Sequence, residues 1–157
     1  MARYRARCDW SLAAPEEDFL KGRYGRGHTV AFGSGVEVPG TASAHVVGNR
    51  WAAPNAVDPE EMMVASISTC HMLSFLHAAR EAGFVVTRYV DDAEGLMEKN
   101  EGGQMAVTRV ALRPAITFAG RQPTAEEVDH LHHQAHEMCF IANSVKTQIV
   151  VEAPAGA

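Results

Sequence analysis

The stretch that decides the fold is residues 58–83, DPEEMMVASISTCHMLSFLHAAREAG. Asp58 is a good helix N-cap, Pro59 suits the first helical position, and Glu61 completes a capping box. Gly83 supplies the stop signal. These signals predict one helix of about 24 residues, which is roughly 36 Å long.

The middle of this predicted helix is apolar nearly all round and carries Cys70. Such a helix is expected to be buried. Charged and histidine side chains interrupt the apolar run, which is too short for a membrane span. Small residues around Cys70 leave room for another backbone or a ligand, although a buried structural thiol is the commoner role for such a cysteine.

The composition favours one soluble domain covering residues 1–157, or one domain built to dimerise. Apolar residues make up 46% and charged residues 21%, and the net charge of -5 argues against a nucleic acid or an anionic membrane as partner. The N-terminus has no apolar segment typical of a signal peptide. Three cysteines without a tight pairing pattern suit a reducing compartment, so we expect a cytoplasmic protein.

The rest of the chain mixes strand signals with a second helix. Alternation in residues 3–10 predicts a strand with Cys8 on its inner, packed face. Thr124 and Glu127 form a second capping box. The fold class expected from this order is α+β, with antiparallel sheets and segregated helices. Further strands are predicted in 23–35, 40–47 and 145–153, with a hairpin turn at 100–103.

Two cysteines suggest redox chemistry. Cys70 and Cys139 belong to different predicted helices. A thiol pair in a reducing compartment suits peroxide reduction, in which one thiolate becomes a sulfenic acid and the second thiol resolves it as a disulfide. Neither cysteine is at a helix N-terminus, so activation of the thiolate needs a nearby cation, which Arg26 or Arg23 can provide.

A histidine cluster supports a different class of function. His132 and His136 are spaced i, i+4, and Cys139 follows three positions later, which is a spacing used by metal ligands. His130 and His133 lie beside them, but no second half-site is evident. Histidines on a solvated helix face are the commoner explanation. The alternative function is therefore a metal-binding or sensing protein.

Glu60 is also a candidate site residue. It precedes Cys70 by ten positions, or about 15 Å along one helix, so the two cannot share a site within one chain. A second copy of the helix packed antiparallel would bring Glu60 of one chain near Cys70 of the other.

Two motifs carry a family resemblance. DPEEMMVASISTC (58–70) and AHEMCFIANSVK (135–146) resemble the two cysteine segments of the family of osmotically inducible protein C (OsmC) and organic hydroperoxide resistance (Ohr) proteins. The order of elements matches over nearly the whole chain, and YGRGHTVAF (24–32) is most similar to the OsmC-like branch. The chain departs from the family pattern at Phe140, where proline is usual, and at His71.

The resemblance implies an intertwined homodimer that reduces organic hydroperoxides at the expense of an external dithiol, without a cofactor. By position in the motifs, Cys70 corresponds to the peroxidatic cysteine and Cys139 to the resolving one. Glu60 corresponds to the glutamate that orients a catalytic arginine, and Arg26 is the best match for that arginine, with Arg23 second. A third candidate function is the binding of a small ligand without catalytic turnover.

Overall fold

The computed structural model describes residues 1–154 and has the predicted α+β class. The chain forms two compact units, residues 1–62 and the part from Met63 onward. The boundary falls near the start of the long helix, and each unit is described by itself.

The N-terminal unit contains one antiparallel sheet of three short strands, in the order β1-β2-β3. Two short helices accompany the sheet. The bounds are β1 Ala6–Asp9, α1 Glu16–Leu20, β2 His28–Phe32, β3 Glu37–Gly40 and α2 Ala44–Val47.

Two expectations for this unit are wrong. Residues 40–47 do not form a strand: β3 ends at Gly40, and α2 begins after Ser43, whose hydroxyl accepts a hydrogen bond from the backbone N–H of His45. A short polar residue at an N-cap favours helix over strand for the residues that follow. Cys8 is exposed rather than packed, because all of β1 is exposed in this chain.

The long predicted helix is confirmed as α3, Pro59–Glu81. Its N-terminus is capped reciprocally, because the backbone N–H of Glu61 donates to Asp58 while the backbone N–H of Asp58 donates to the Glu61 carboxylate. At the other end, Gly83 adopts a positive φ of 78°, a conformation that glycine reaches without strain.

The C-terminal unit has two sheets, β4-β7 and β5-β6-β8. The predicted hairpin at 100–103 is confirmed by β5 and β6, whereas β8 pairs with β6 in parallel, which the sequence did not predict. The bounds are β4 Val85–Asp91, β5 Glu94–Lys99, β6 Met105–Leu112, β7 Pro114–Ala119, α4 Ala125–Met138, a 3-10 turn Ala142–Ser144 and β8 Gln148–Val151.

Only one stripe of α3 is buried in this chain, whereas the sequence predicts burial all round. The stripe packs against α4 and against β4, β6 and β7; its members are Ile67, His71, Phe75, Ala78 and Ala79. The opposite side of α3 faces outward, and Leu73 is 58% exposed. By length and composition α3 could also cross a membrane, although a core helix of a soluble protein meets the same criteria.

Candidate active site

The two thiols of the C-terminal unit meet at one turn. Cys70 lies in the middle of α3 and is half-buried, and its Sγ accepts a hydrogen bond from the backbone N–H of Ile141 at 3.5 Å. Cys139 follows the last residue of α4 and is 1% exposed. Its own Sγ accepts from the backbone N–H of Ala142 at 3.4 Å. Two successive backbone N–H groups therefore face the two sulfur atoms.

The turn is held by its own polar side chains. The Ser144 hydroxyl donates to the carbonyl of Phe140 at 2.7 Å, and the Asn143 side-chain amide donates to the carbonyl of Glu137 at 3.1 Å. Cys139 is extended, with φ -71° and ψ 108°, which ends α4 and starts the turn. The segment after Cys139 is thus ordered by one contact with a carbonyl of the last turn of α4, that of Glu137, and by one contact within the turn itself.

The two thiols differ in their surroundings. Burial raises the pKa of Cys139, and the neighbouring Cys70 thiol raises it further, against a smaller opposing effect of the Ala142 N–H. Cys139 is therefore held as a neutral thiol near neutral pH. Cys70 keeps access to solvent.

Arg26 lies in the N-terminal unit, half-buried above the ring of Tyr24 at 3.7 Å from the ring centre. Its guanidinium donates to the carbonyls of Tyr24 and Gly22, the latter at 3.3 Å. By contrast, Arg23 is exposed and lies 3.9 Å from the carboxylate of Asp18. Arg26 is therefore the more ordered of the two candidates.

An aromatic cleft of about 410 Å³ borders Arg26. Three rings that contact one another form its wall, with centres 4.5 to 6.1 Å apart: Trp10, Phe19 and Tyr24. The cleft is apolar apart from the guanidinium, His28 and Thr41. Such a cleft suits a hydrocarbon group beside a cation.

Glu60 lies in the first turn of α3 and is half-buried. Its Oε2 is buried and has no hydrogen-bond partner within the described chain. Among residues 1–154, no ion pair joins Glu60 to Arg26. The structure therefore brings Cys70 and Cys139 together, whereas it does not pair Glu60 with Arg26 within residues 1–154.

The histidines of α4 do not form a metal-binding site in the described residues. His132 is buried, and its Nδ1 lies 3.0 Å from Nε2 of His71, whereas His130, His133 and His136 are exposed. In the part of the chain that the structure describes, no three His, Cys, Asp or Glu side chains are placed to hold a metal ion.

The sequence patterns do not predict this histidine pair. They indicate His71 as a departure from the family pattern and His132 as a metal ligand or a surface residue. The available signal was periodicity, because His71 lies four positions from Ile67 and from Phe75, on the buried stripe of α3.

Comparison with known proteins decides the family. The model for OsmC-like proteins matches residues 52–153, well over half of the chain. This protein belongs to the OsmC-like family. The matched segment contains Glu60, Cys70 and Cys139, and the family resemblance predicted from the two motifs is thereby confirmed.

Solved structures of the family share the fold. An OsmC-like protein of unknown function from Vibrio cholerae is 42% identical, with a TM-score of 0.91, over 98% of this chain and 99% of that chain. More distant is an organic hydroperoxide resistance protein from Elizabethkingia anophelis, 18% identical with a TM-score of 0.69, over 98% and 95% of the two chains. A protein described as organic hydroperoxide resistance protein OsmC from Legionella pneumophila is 19% identical, with a TM-score of 0.67, over 98% and 96%. No curated protein matches this OsmC-like chain significantly.

Proposed function

We propose that this protein is a thiol-dependent peroxidase that reduces organic hydroperoxides in oxidative stress defence. The observation that carries the proposal is the meeting of Cys70 and Cys139 at one turn, with a backbone N–H directed at each sulfur. Free thiols from two different helices, held side by side, are suited to forming and releasing a disulfide. Membership of the OsmC-like family supports the same class of redox chemistry.

The reaction proceeds in two steps. The Cys70 thiolate attacks the distal oxygen of the hydroperoxide, the O–O bond breaks, and the alkoxide takes a proton and leaves as an alcohol. Cys70 is then a sulfenic acid. The sulfur of Cys139 attacks it, the S–O bond breaks and water leaves, so that a Cys70–Cys139 disulfide forms. An external dithiol reduces this disulfide and restores both thiols.

The surroundings of the thiols favour these roles. Attack on a peroxide requires access and a thiolate. Cys139 is buried and its pKa is raised, mainly by burial, so it is unsuited to attack first. Cys70 is open to solvent and accepts the Ile141 N–H, which stabilises charge on its sulfur.

Arg26 and Glu60 complete the proposed site. In the proposal, the Arg26 guanidinium stabilises the Cys70 thiolate and the charge that develops on the peroxide oxygens. Glu60 orients the guanidinium through a charge-assisted pair. Oε2 of Glu60 is buried and has no partner among residues 1–154, which supports this role because a buried carboxylate oxygen without a donor is costly. Arg26 must exchange its present carbonyl acceptors for that carboxylate.

A second copy of the chain is part of the proposal. Glu60 and Cys70 are about 15 Å apart along α3, so one site can use both only if they come from different chains. The outward face of α3 carries apolar and small residues, including Ala65, Thr69 and Leu73, which a partner's α3 in a twofold arrangement would cover. We therefore propose a homodimer with two shared sites.

The aromatic cleft supports an organic substrate. It offers the rings of Trp10, Phe19 and Tyr24 to a hydrocarbon group while Arg26 lies at its border. Hydrogen peroxide has no group to occupy such a cleft. The cleft therefore gives the preference for an organic substrate a physical basis.

Peroxide consumption tests the proposed function. With dithiothreitol as the reductant, we expect wild-type protein to consume many equivalents of cumene hydroperoxide per chain, with a higher kcat/KM than for hydrogen peroxide. Peroxide consumption that stops below one equivalent per chain would contradict peroxidase activity. So would a rate of consumption no higher than that of dithiothreitol alone. A preference for hydrogen peroxide would contradict the role of the cleft.

Replacement of the two candidate arginines should separate them. We expect Arg26→Met to lower kcat/KM for cumene hydroperoxide by about 10²- to 10³-fold, the usual effect of losing a charge-stabilising donor. Arg23→Met removes the same charge from an exposed position and should leave kcat/KM within about twofold of wild type. The reverse pattern in steady-state assays would assign the role to Arg23.

A further inference from the structure

The contact between α3 and α4 contains one polar pair in an apolar surface. The buried residues of α4 that face α3 are Leu131, His132 and Ala135, followed by Cys139 at the helix end. On the α3 side of this contact, Phe75, Ala78 and Ala79 pack with the apolar residues of α4, and His71 lies beside His132. Each helix thus presents a single histidine among apolar neighbours.

These two histidines bond to each other. Nε2 of His71 lies 3.0 Å from Nδ1 of His132, and the two ring planes are nearly parallel, with an interplanar angle of 11° and ring centres 5.3 Å apart. His71 is 1% exposed and His132 is 9% exposed. The ring of Phe75 lies against His132 with centres 4.5 Å apart. The hydrogen bond is therefore shielded from water.

The other nitrogen of His71 indicates the direction of this bond. Nδ1 of His71 is buried without a hydrogen-bond partner in the described chain. A bare lone pair there is less costly than an unpaired N–H, which favours Nε2–H of His71 as the donor and Nδ1 of His132 as the acceptor. Burial lowers the pKa of His71 to about 4 and also lowers that of His132, so the pair is neutral near pH 7.

A neutral polar pair in an apolar contact specifies register. If α4 slid by one turn along α3, about 5.4 Å, the bond would break and both nitrogens would be buried without partners. Buried polar pairs fix the axial register of coiled coils in this way, although apolar replacements can be more stable. The apolar residues alone do not impose so sharp a penalty on sliding.

The register of these helices determines where the two thiols lie. His71 directly follows Cys70 on α3, and Cys139 follows His132 by seven positions, which is two helical turns and the same side of α4. A change of register would move the Cys139–Ala142 turn away from Cys70, to whose Sγ the Ile141 N–H now donates.

We propose that His71 and His132 are a positioning pair that sets the register of α4 on α3 and so holds Cys139 at disulfide-forming distance from Cys70. The inference rests on the disulfide step of the proposed function. The histidine pair contacts neither the substrate nor the sulfur atom of either cysteine. Its effect falls on closure of the disulfide, not on the first attack on peroxide.

The test measures disulfide formation without peroxide. In a Cys8→Ser background, equilibration with reduced and oxidised glutathione gives the effective concentration of the Cys70–Cys139 pair, since one glutathione disulfide oxidises the two thiols and yields two glutathiones. We expect the double variant His71→Leu/His132→Leu to fold, because both partners become apolar together. Its effective concentration should be about fivefold lower, the fold-change equivalent of one net hydrogen bond.

Matched variants separate positioning from stability. His71→Gln retains an N–H donor near the position of Nε2 and should keep the wild-type effective concentration. His71→Leu alone removes the donor and should lower the effective concentration. Ile67→Val removes one buried methyl group from the same helix without touching the bond, and should lower the Tm while leaving the effective concentration unchanged.

Each outcome either supports the positioning role of the histidine pair or overturns it. An effective concentration in His71→Leu, or in the folded double variant, equal to that of wild type would overturn it, as would failure of the wild-type pair to form a disulfide with glutathione. A pair that closes with glutathione and responds to His71→Leu as expected, yet is not oxidised by cumene hydroperoxide, would support the positioning role and contradict the peroxidase proposal instead.

Discussion

Cys70→Ser should abolish turnover of cumene hydroperoxide, lowering kcat/KM by on the order of 10³-fold or more. A serine hydroxyl in this position is a far weaker nucleophile than a thiolate, and no other thiol takes over. Cys139 is buried, with its pKa raised by burial, and therefore lacks both access and charge. The measurement is the initial rate of peroxide loss with dithiothreitol in excess.

Cys8→Ser is the matched control for this replacement. Cys8 is exposed on β1, so its thiol is accessible to peroxide, yet it has no assigned role in the proposed site. We expect Cys8→Ser to turn over at the wild-type rate. Activity in Cys70→Ser that disappears only when Cys8 is also replaced would show that the exposed thiol, not Cys70, reacts with peroxide.

Mixed dimers should recover activity that neither parent has. Glu60→Ala chains keep Cys70, and Cys70→Ser chains keep Glu60, so a heterodimer holds one intact site if the two residues come from different chains. Random pairing of equal amounts makes half of the dimers mixed, which predicts roughly a quarter of the wild-type activity. Each parent alone should be nearly inactive, because it lacks one member of every site.

Co-expression with two different affinity tags allows the mixed dimer to be isolated and assayed. A mixed dimer no more active than the mean of the parents would contradict the shared site. So would an active monomer in sedimentation experiments. Mixing Cys70→Ser with Cys139→Ser provides the control, since Cys70 and Cys139 meet within one chain and the mixed dimer should gain no catalytic turnover.

Elements with strong local signals could be predicted from the sequence. The capping boxes at Asp58–Glu61 and Thr124–Glu127 both form, and Gly83 adopts the positive φ expected of a helix stop. These features depend on hydrogen bonds between residues three positions apart, so the sequence contains the whole interaction.

Elements whose state depends on distant partners were harder to predict. Residues 40–47 have strand-like composition, but β3 ends at Gly40 and the Ser43 cap starts α2 at Ala44. The strand run after Gly83 divides into β4 and β5, which pair with β7 and β6 in different sheets. Which strand pairs with which is a nonlocal property, and alternation along one segment does not encode it.

Some features of the candidate site are also predicted by local motifs, whereas others are determined by packing. Two cysteine motifs led to Cys70 and Cys139, and the fold places their sulfurs at one turn. The direction of the Arg26 side chain is set by Tyr24 and by carbonyl groups of its own loop. The pairing of His71 with His132 joins two helices far apart in the sequence, so only the packed structure reveals it.

Peroxide should drive Cys70 and Cys139 into one disulfide, and the mass of the intact protein after one equivalent of cumene hydroperoxide measures this step. We expect wild-type protein to lose two hydrogens, Cys139→Ser instead to gain one oxygen at Cys70, and Cys70→Ser to be unchanged. Wild-type protein that keeps both thiols, or a Cys70→Ser variant oxidised to the same extent as wild type, would contradict this expectation.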